Sequence, residues 1–564
     1  MPLNLDRAGD EIFVTGRRYR LCYKVGSPEA ELFVEAKRAA RLFLPCALDT
    51  AEGPDATLDV GQPQVQQARD HVRLRIPVRS ARWRAKTVVV GCWEEAVELG
   101  CVVEGEGTVR QYRLCGGVLG RAEKVSETGF ATLFNPHPNL RDVRYHRAWE
   151  STQVDPYGGE GDNRIFTPGL LCYAVTYDGK WWMGLGVGAA KGGYGFNRFS
   201  YNGGRGFWLA LDYEGHLRIK GRFRAPQLVI SFDSDEYGAL ESYVEHLLNR
   251  ELISWPDREA AHWWWQPIFC GWGEQCLCAR RSSQPATTYA EQSNYEAWLE
   301  LLAGRGVVPG TIVVGDKWQC TYGENVVDGA RFTNMRRFIE SRHARGQKVV
   351  LWIKAWHPEG IPPEECIVDG EGNAVAVDPT NPRFEQRLRE QVRYHLSAAE
   401  DCLNADGYMI DFTHLTPHGA ELSAEGEAWG IELLRRLMEL YYTAAKQTKS
   451  DALIIAQCAN PYFADVVDMI SLDGVAPEIR NLCDTMTFRQ RVAKIACPHW
   501  LVDTDRAHAP NLEEWRLYMP HQPKIGVPSL SVATGQPTTG EMLEEGDYAM
   551  LREVWEEYRK RVGL

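Results

Sequence analysis

Over residues 1–233 apolar and polar positions alternate in short runs separated by glycine-containing turns. Segments 72–78, 83–91, 170–177, 181–187, 207–213 and 227–232 show the pattern, with Asp178-Gly179 and Glu214-Gly215 as turns between them. Period-two patterning at this spacing predicts half-buried antiparallel strands stacked as a β-sandwich. The period then lengthens. Tyr237, Leu240, Tyr243, Val244 and Leu247 recur at helical spacing, which predicts a helix over 235–250 started by Ser234-Asp235.

From residue 263 onward the texture changes again. Apolar runs at 267–272, 310–318, 348–356, 407–412, 452–457, 467–472, 500–503 and 525–532 alternate with amphipathic stretches such as 334–345, 381–400 and 425–448. Eight strands with helices between them predict a closed (β/α)8 barrel. An open doubly wound sheet is the alternative, but no glycine-rich phosphate loop follows any strand. The expected organisation is multidomain: an N-terminal antiparallel β-sandwich (1–233), a helical linker (234–262) and a (β/α)8 TIM barrel (263–564).

Composition narrows the partners. Of the 564 residues 44% are hydrophobic and 25% charged, as in folded globular chains. A net charge of −13 with no run of Lys or Arg argues against nucleic acid or an anionic membrane as the main partner. No apolar stretch approaches a membrane span, and residues 1–10 lack the apolar core of a secretion signal. Fifteen cysteines are scattered without a CxxC spacing, which predicts reduced thiols and a cytoplasmic location. Trp263, Trp264, Trp265 and Trp272 are concentrated at the first barrel strand. Such rings either stack on sugar faces or pack the two domains together, and both readings stay open.

Barrels carry their catalytic groups at the C-terminal ends of the strands. The strand list therefore becomes a site list: Asp316 and Trp318, Lys354, Trp356 and His357, Asp411, Gln457 to Asn460, Asp473, then Asp503 and Asp505. Asp411 and Asp473 end the fourth and sixth strands, so they face each other across the barrel mouth. Paired carboxylates suit glycosidic bond cleavage, and their mutual approach keeps one of them protonated near neutral pH. Asp468 competes for the second role; Asp473 is preferred because Asp473-Gly474-Val475 reads as a turn at a strand end. His357, His414 and His418 raise the thought of a metal, but the ligand types are not grouped, and neither metal nor cofactor is expected. The loop around Tyr157 to Arg164 either reaches into the mouth or stays at the surface.

The order of several motifs resembles a known group. Phe232-Asp233-Ser234-Asp235-Glu236-Tyr237-Gly238-Ala239-Leu240 closes the sandwich, and Val313-Val314-Gly315-Asp316-Lys317-Trp318-Gln319 forms the second strand end. Residues 348–358, Asp378-Pro379-Thr380-Asn381-Pro382 and Asp406-Gly407-Tyr408-Met409-Ile410-Asp411-Phe412 follow in order. Together they resemble the retaining α-glycosidases of clan GH-D, above all the α-galactosidases of glycoside hydrolase family 36 and more distantly family 31. The resemblance implies a retaining, exo-acting α-glycoside hydrolase working through a covalent glycosyl-aspartate. Asp411 would be the nucleophile and Asp473 the acid/base, with Asp316, Trp318, Lys354 and Trp356 binding the sugar. His414, Gln457, Trp272 and Arg480 are further candidates for sugar contact. The implied partner is an oligosaccharide or glycoside, with self-association left open. Met409 stands where family 36 usually has Lys, and Asp316 stands where many members have two adjacent acids. Only about thirty residues follow the eighth strand, so the family's C-terminal sandwich is expected to be absent or vestigial. These departures keep an α-glucosidase-like hydrolase or transglycosidase, and an inactive carbohydrate-binding relative, as alternatives.

Overall fold

A computed structural model describes residues 3–137, 142–150, 168–474 and 476–564. The expectation for residues 157–164 lies outside the described residues. Up to Asp233 the described residues form strands joined by turns, nearly all paired antiparallel, in one six-stranded and one fifteen-stranded sheet. Alternation does the work that the pattern promised: in Glu11–Thr15 and Tyr19–Lys24, Ile12, Val14, Tyr19, Leu21 and Tyr23 are buried while Glu11 and Arg20 face solvent. One turn was misread. Glu214-Gly215 does not end a strand but sits inside Trp208–Arg224, where pairing jumps from Val109↔Leu217 to Gln111↔Asp212. Positive φ at Glu214 (51°) and Gly215 (90°) makes this a bulge that bends a long strand rather than reversing it.

The connecting helix spans Glu236–Asn249, and Asp235 caps it by accepting from Tyr237 N and Gly238 N. Its buried stripe of Ala239, Leu240, Tyr243, Val244 and Leu247 packs on strands Trp182–Gly188 and Gln227–Asp233.

Eight parallel strands follow: β1 (Ile268–Cys270), β2 (Thr311–Val314), β3 (Lys348–Lys354) and β4 (Gly407–Asp411), then β5 (Leu453–Ala456), β6 (Met469–Ser471), β7 (Leu501–Asp503) and β8 (Ser529–Leu530). They pair in the order β7-β6-β5-β4-β3-β2-β1-β8. Val527 N donates to Val502 O (2.8 Å), which brings the lead-in to β8 beside β7 and closes the ring. Inside, Ile268, Val313, Val350, Leu453, Met469 and Leu501 fill the lower layers.

The tryptophan-rich segment is a plug for the opposite end. His262–Trp265 forms a single 3-10 turn, and Trp264 (4% exposed) packs into the barrel cluster. Trp263 Nε1 and Trp264 Nε1 donate to Asp451 Oδ2 (3.0 Å) and Asp451 O (2.9 Å), just before β5 begins. A stacking platform for sugar is therefore not built from Trp263 and Trp264; Trp272 alone of the group reaches the other mouth. After β8 the chain ends in a helix, Glu545–Val562, whose Tyr548, Leu551, Trp555 and Tyr558 are buried. Arg552 and Arg559 bond the carbonyls of Arg305 and Val308, so the helix completes the outer ring.

Sandwich and barrel are tied beside the site. Asn460, after β5, donates to Gly169 O (2.7 Å), and Tyr194 N donates to Glu432 Oε1 (2.9 Å). Gly430 begins helix Gly430–Thr448 at φ +58°, and a Cβ there would lie 2.2 Å from Phe196 O; only glycine permits that contact.

Candidate active site

Strand parity determines what points into the barrel. Inward residues recur every second position, so Met409 leads to Asp411, Ile455 to Gln457 and Met469 through Ser471 to Asp473. The same count carries Leu501 through Asp503 to Asp505, and Cys270 to Trp272. All of the positions reached at the C-terminal rim are polar or aromatic. They line a cavity of about 540 Å³ together with Asp316, Trp352, Phe412, Arg506 and His508.

The opposite rim shows what parity excludes. Asp406 and Asp468 precede β4 and β6 by one residue each, at the N-terminal ends. Asp468 (4% exposed) accepts from Ile454 N (2.9 Å) and pairs with Lys446 (2.8 Å) and Arg258 (3.1 Å). Asp406 is held by His343 (2.6 Å), Lys348 (3.1 Å) and Lys449 (3.2 Å), and these partners keep its carboxyl down at about 2 despite burial. Both are saturated structural acids at the barrel base. Asp468 is thus far from the cavity that Asp473 lines.

Asp411 ends β4 with each oxygen engaged. Oδ1 accepts from Phe412 N (2.7 Å) and Oδ2 from Trp352 Nε1 (3.3 Å). Phe412 adopts left-handed φ 60°, ψ 27°, a conformation uncommon for a bulky residue, and it turns the backbone N–H onto the carboxylate. Desolvation pushes the Asp411 carboxyl up to about 6; the two donors oppose this, while the charges of Asp473 and Asp316 reinforce it. Asp473 is more open, with its side chain 25% exposed. Its Oδ1 accepts from Gly474 N (2.6 Å) and pairs with Arg506 Nη1 (3.1 Å), whose side chain is 2% exposed. Arg489, fully buried, donates to the carbonyls of Leu472 (3.0 Å) and Asp473 (3.3 Å) and fixes the turn out of β6.

Asp316 lines the cavity beyond β2 and accepts from Tyr322 Oη (2.7 Å). Burial raises its carboxyl, with Tyr322 and Lys354 pulling it back. The remaining sequence-predicted residues lie elsewhere. Lys354 stacks over the rings of Tyr322 (4.6 Å) and Phe412 (5.1 Å), next to the cavity wall. Trp318 is wholly buried and donates to Trp352 O (2.8 Å), so it braces the lining tryptophan. Trp356 donates to Thr413 O (3.3 Å), and His414 packs on Phe412 (5.5 Å). Arg480 is at the exposed surface. Sequence reasoning did not single out Trp352, Arg506 or His508. Trp352 carried a usable signal, being two residues before Lys354 on an inward face.

Among the described residues, no group of three or more His, Cys, Asp or Glu side chains is placed to hold a metal ion. No helix among them is long and apolar enough to cross a membrane.

No protein-family profile matches the chain, and no curated protein matches it in sequence. Solved structures do match in fold. A sulfoquinovosidase of glycoside hydrolase family 31 from E. rectale aligns at TM-score 0.59 and 10% identity, over 98% of this chain and 82% of that one. An α-galactosidase from Lactobacillus brevis aligns at TM-score 0.58 and 9% identity, over 97% and 83%. A family 36 α-galactosidase from Geobacillus stearothermophilus aligns at TM-score 0.56 and 12% identity, over 100% and 86%. The sandwich-plus-barrel architecture is shared with these clan GH-D enzymes across nearly the whole chain.

Proposed function

We propose that this protein is a retaining, exo-acting α-glycoside hydrolase in which Asp411 is the nucleophile and Asp473 the acid/base. The observation that carries the reading is the convergence of these two carboxyls, from β4 and the β6 turn, on one closed-sided cavity. A mono- or disaccharide unit fits about 540 Å³, the size range of small-ligand sites.

In the first step ionised Asp411 attacks the anomeric carbon and Asp473 protonates the departing oxygen. Trp352 and Phe412 N–H hold the attacking carboxylate in a single orientation, so little reorganisation remains at the moment of reaction. In the second step Asp411 is esterified and neutral. Arg506 then stabilises the Asp473 carboxylate, the form that takes a proton from the attacking water. Trp272, Trp352 and Phe412 supply ring faces, while Asp316 and Gln457 supply hydrogen-bonding atoms for hydroxyls.

An α-galactoside is the leading substrate class, supported by the motif order and by the fold shared with the two α-galactosidases. Met409 in place of the family 36 lysine, together with Arg506 in the cavity wall, keeps other α-linked sugars as the second reading. Transfer to a sugar acceptor uses the same intermediate and competes with hydrolysis. The fifteen cysteines, none of them in a disulfide, are consistent with a reducing, cytoplasmic setting. The test is a panel of aryl α-glycosides with NMR of the first-formed anomer. Release of the α-anomer from at least one member supports the reading, and a β-anomer as first product overturns it.

A further inference from the structure

The mechanism above leaves two buried acids unused. Asp503 is the last residue of β7 and is fully buried; Asp505 is 4% exposed and lines the cavity two positions further. Register pairs Asp503 with Ser471, which sets it one layer beneath Asp473, while Asp505 reaches the same rim layer as Asp473 itself. Neither acid has a cationic partner within ion-pair distance among the described residues. Asp503 Oδ1 accepts from Asp505 N (3.1 Å) and its carboxyl faces the Ser471 and Ser529 hydroxyls, whereas Asp505, beside Arg506 N and Cys270, leaves Oδ1 without a hydrogen-bond partner. Contrast Asp406 and Asp468, buried acids that the fold surrounds with cations at the barrel base. A buried carboxyl left short of donors is costly, and native chains rarely retain one without a use for it.

We infer that Asp505 is a sugar-binding residue: its unmatched carboxyl oxygen takes up a ring hydroxyl of the glycone and so sets which sugar is accepted. This rests on the glycosidase reading and deepens it. Burial raises both carboxyls, with the charge of Asp473 adding to Asp503 and those of Asp503 and Asp473 adding to Asp505. Raised carboxyls favour keeping a proton, and a carboxyl that carries one can both donate to and accept from the hydroxyl. Such a two-way contact discriminates between epimers, because the wrong epimer leaves the acids unmatched. Asp503 acts through Asp505 as a positioning residue. It fixes the backbone N–H of Asp505.

The test is a coupling cycle on the full-length protein. Wild type, Asp505→Asn and Asp505→Ala are assayed for kcat/KM on the best aryl α-glycoside and on its monodeoxy analogues, one hydroxyl removed at a time. In wild type, removing the hydroxyl held by Asp505 should lower kcat/KM by about 10- to 100-fold. In Asp505→Ala that same removal should cost almost nothing further, while the other deoxy analogues lose as much as they do in wild type. Asp505→Asn keeps the shape and a donor and guards against an Ala variant that fails to fold; its coupling should be partial and confined to the same hydroxyl. Equal losses for every analogue in all three proteins overturn the assignment of Asp505 while leaving the hydrolase reading intact. A wild-type chain that cleaves no member of the panel overturns both.

Discussion

Asp411→Asn is the sharpest test of the site because it must change activity and stability in opposite directions. The Asp411 carboxyl is lifted from its ordinary 3.8 to about 6, chiefly by desolvation. The ionised form is therefore strained in the folded chain. The folded state binds more protons than the unfolded state between these two values, so stability falls as pH rises through the window, and the full penalty is in place above about 6. The lift corresponds to about 3 kcal/mol at pH 7.5, trimmed to about 2 kcal/mol because the group borders a solvent-filled cavity. Asparagine removes the charge and keeps the shape. The variant's advantage should thus be small at pH 4.5, well under half of its full size, and grow to about 2 kcal/mol at pH 7.5, roughly 2 °C in Tm for a chain of this length. Turnover should meanwhile drop by about 10³-fold or more, since no covalent intermediate can form. Calorimetry at the two pH values, paired with aryl glycoside turnover, reads both. A stability difference that does not grow with pH refutes the desolvation argument, and retained turnover refutes the nucleophile.

Other perturbations separate the two rims and the two acids. Wild-type kcat/KM should show an acid limb near pH 6, where Asp411 gains its proton, and a limb below pH 4.5 would contradict the raised value. Asp473→Ala should slow glycosides with poor leaving groups by about 10³-fold while sparing activated aryl fluorides or dinitrophenyl glycosides, and added azide should restore rate; a uniform loss over all leaving groups denies the acid role. Asp468→Asn strips a buried acid from Lys446 and Arg258, so urea unfolding should report a loss of about 3–5 kcal/mol with kcat/KM of the folded protein nearly unchanged. Trp318→Phe deletes the bond to Trp352 O under the cavity wall; it should cost about 2 kcal/mol in stability and raise KM more than it lowers kcat, and an unaltered KM would show that Trp352 needs no such brace.

Much of this architecture was legible from the sequence. Period two to residue 233 and alternating strand and helix periods after 263 are local properties of the chain, because each element buries its own apolar face wherever it packs. The same logic put Asp411 and Asp473 at strand ends, and counting in twos from Met409 and Met469 distinguishes them from Asp406 and Asp468. What local pattern could not reveal is where side chains meet across distance. Trp318 and Trp356 look like ring faces awaiting a sugar, yet each turns inward to a backbone carbonyl in the folded chain. Glu214-Gly215 looks like a hairpin turn, yet a neighbouring strand pairs on both sides of it. Arg506 meets Asp473 across 33 positions of sequence, and Asp503 sinks beneath it, only because β7 pairs in parallel with β6. Burial, and with it the protonation of every acid in the cavity, depends on what surrounds a group from all sides, and only the closed barrel supplies those surroundings.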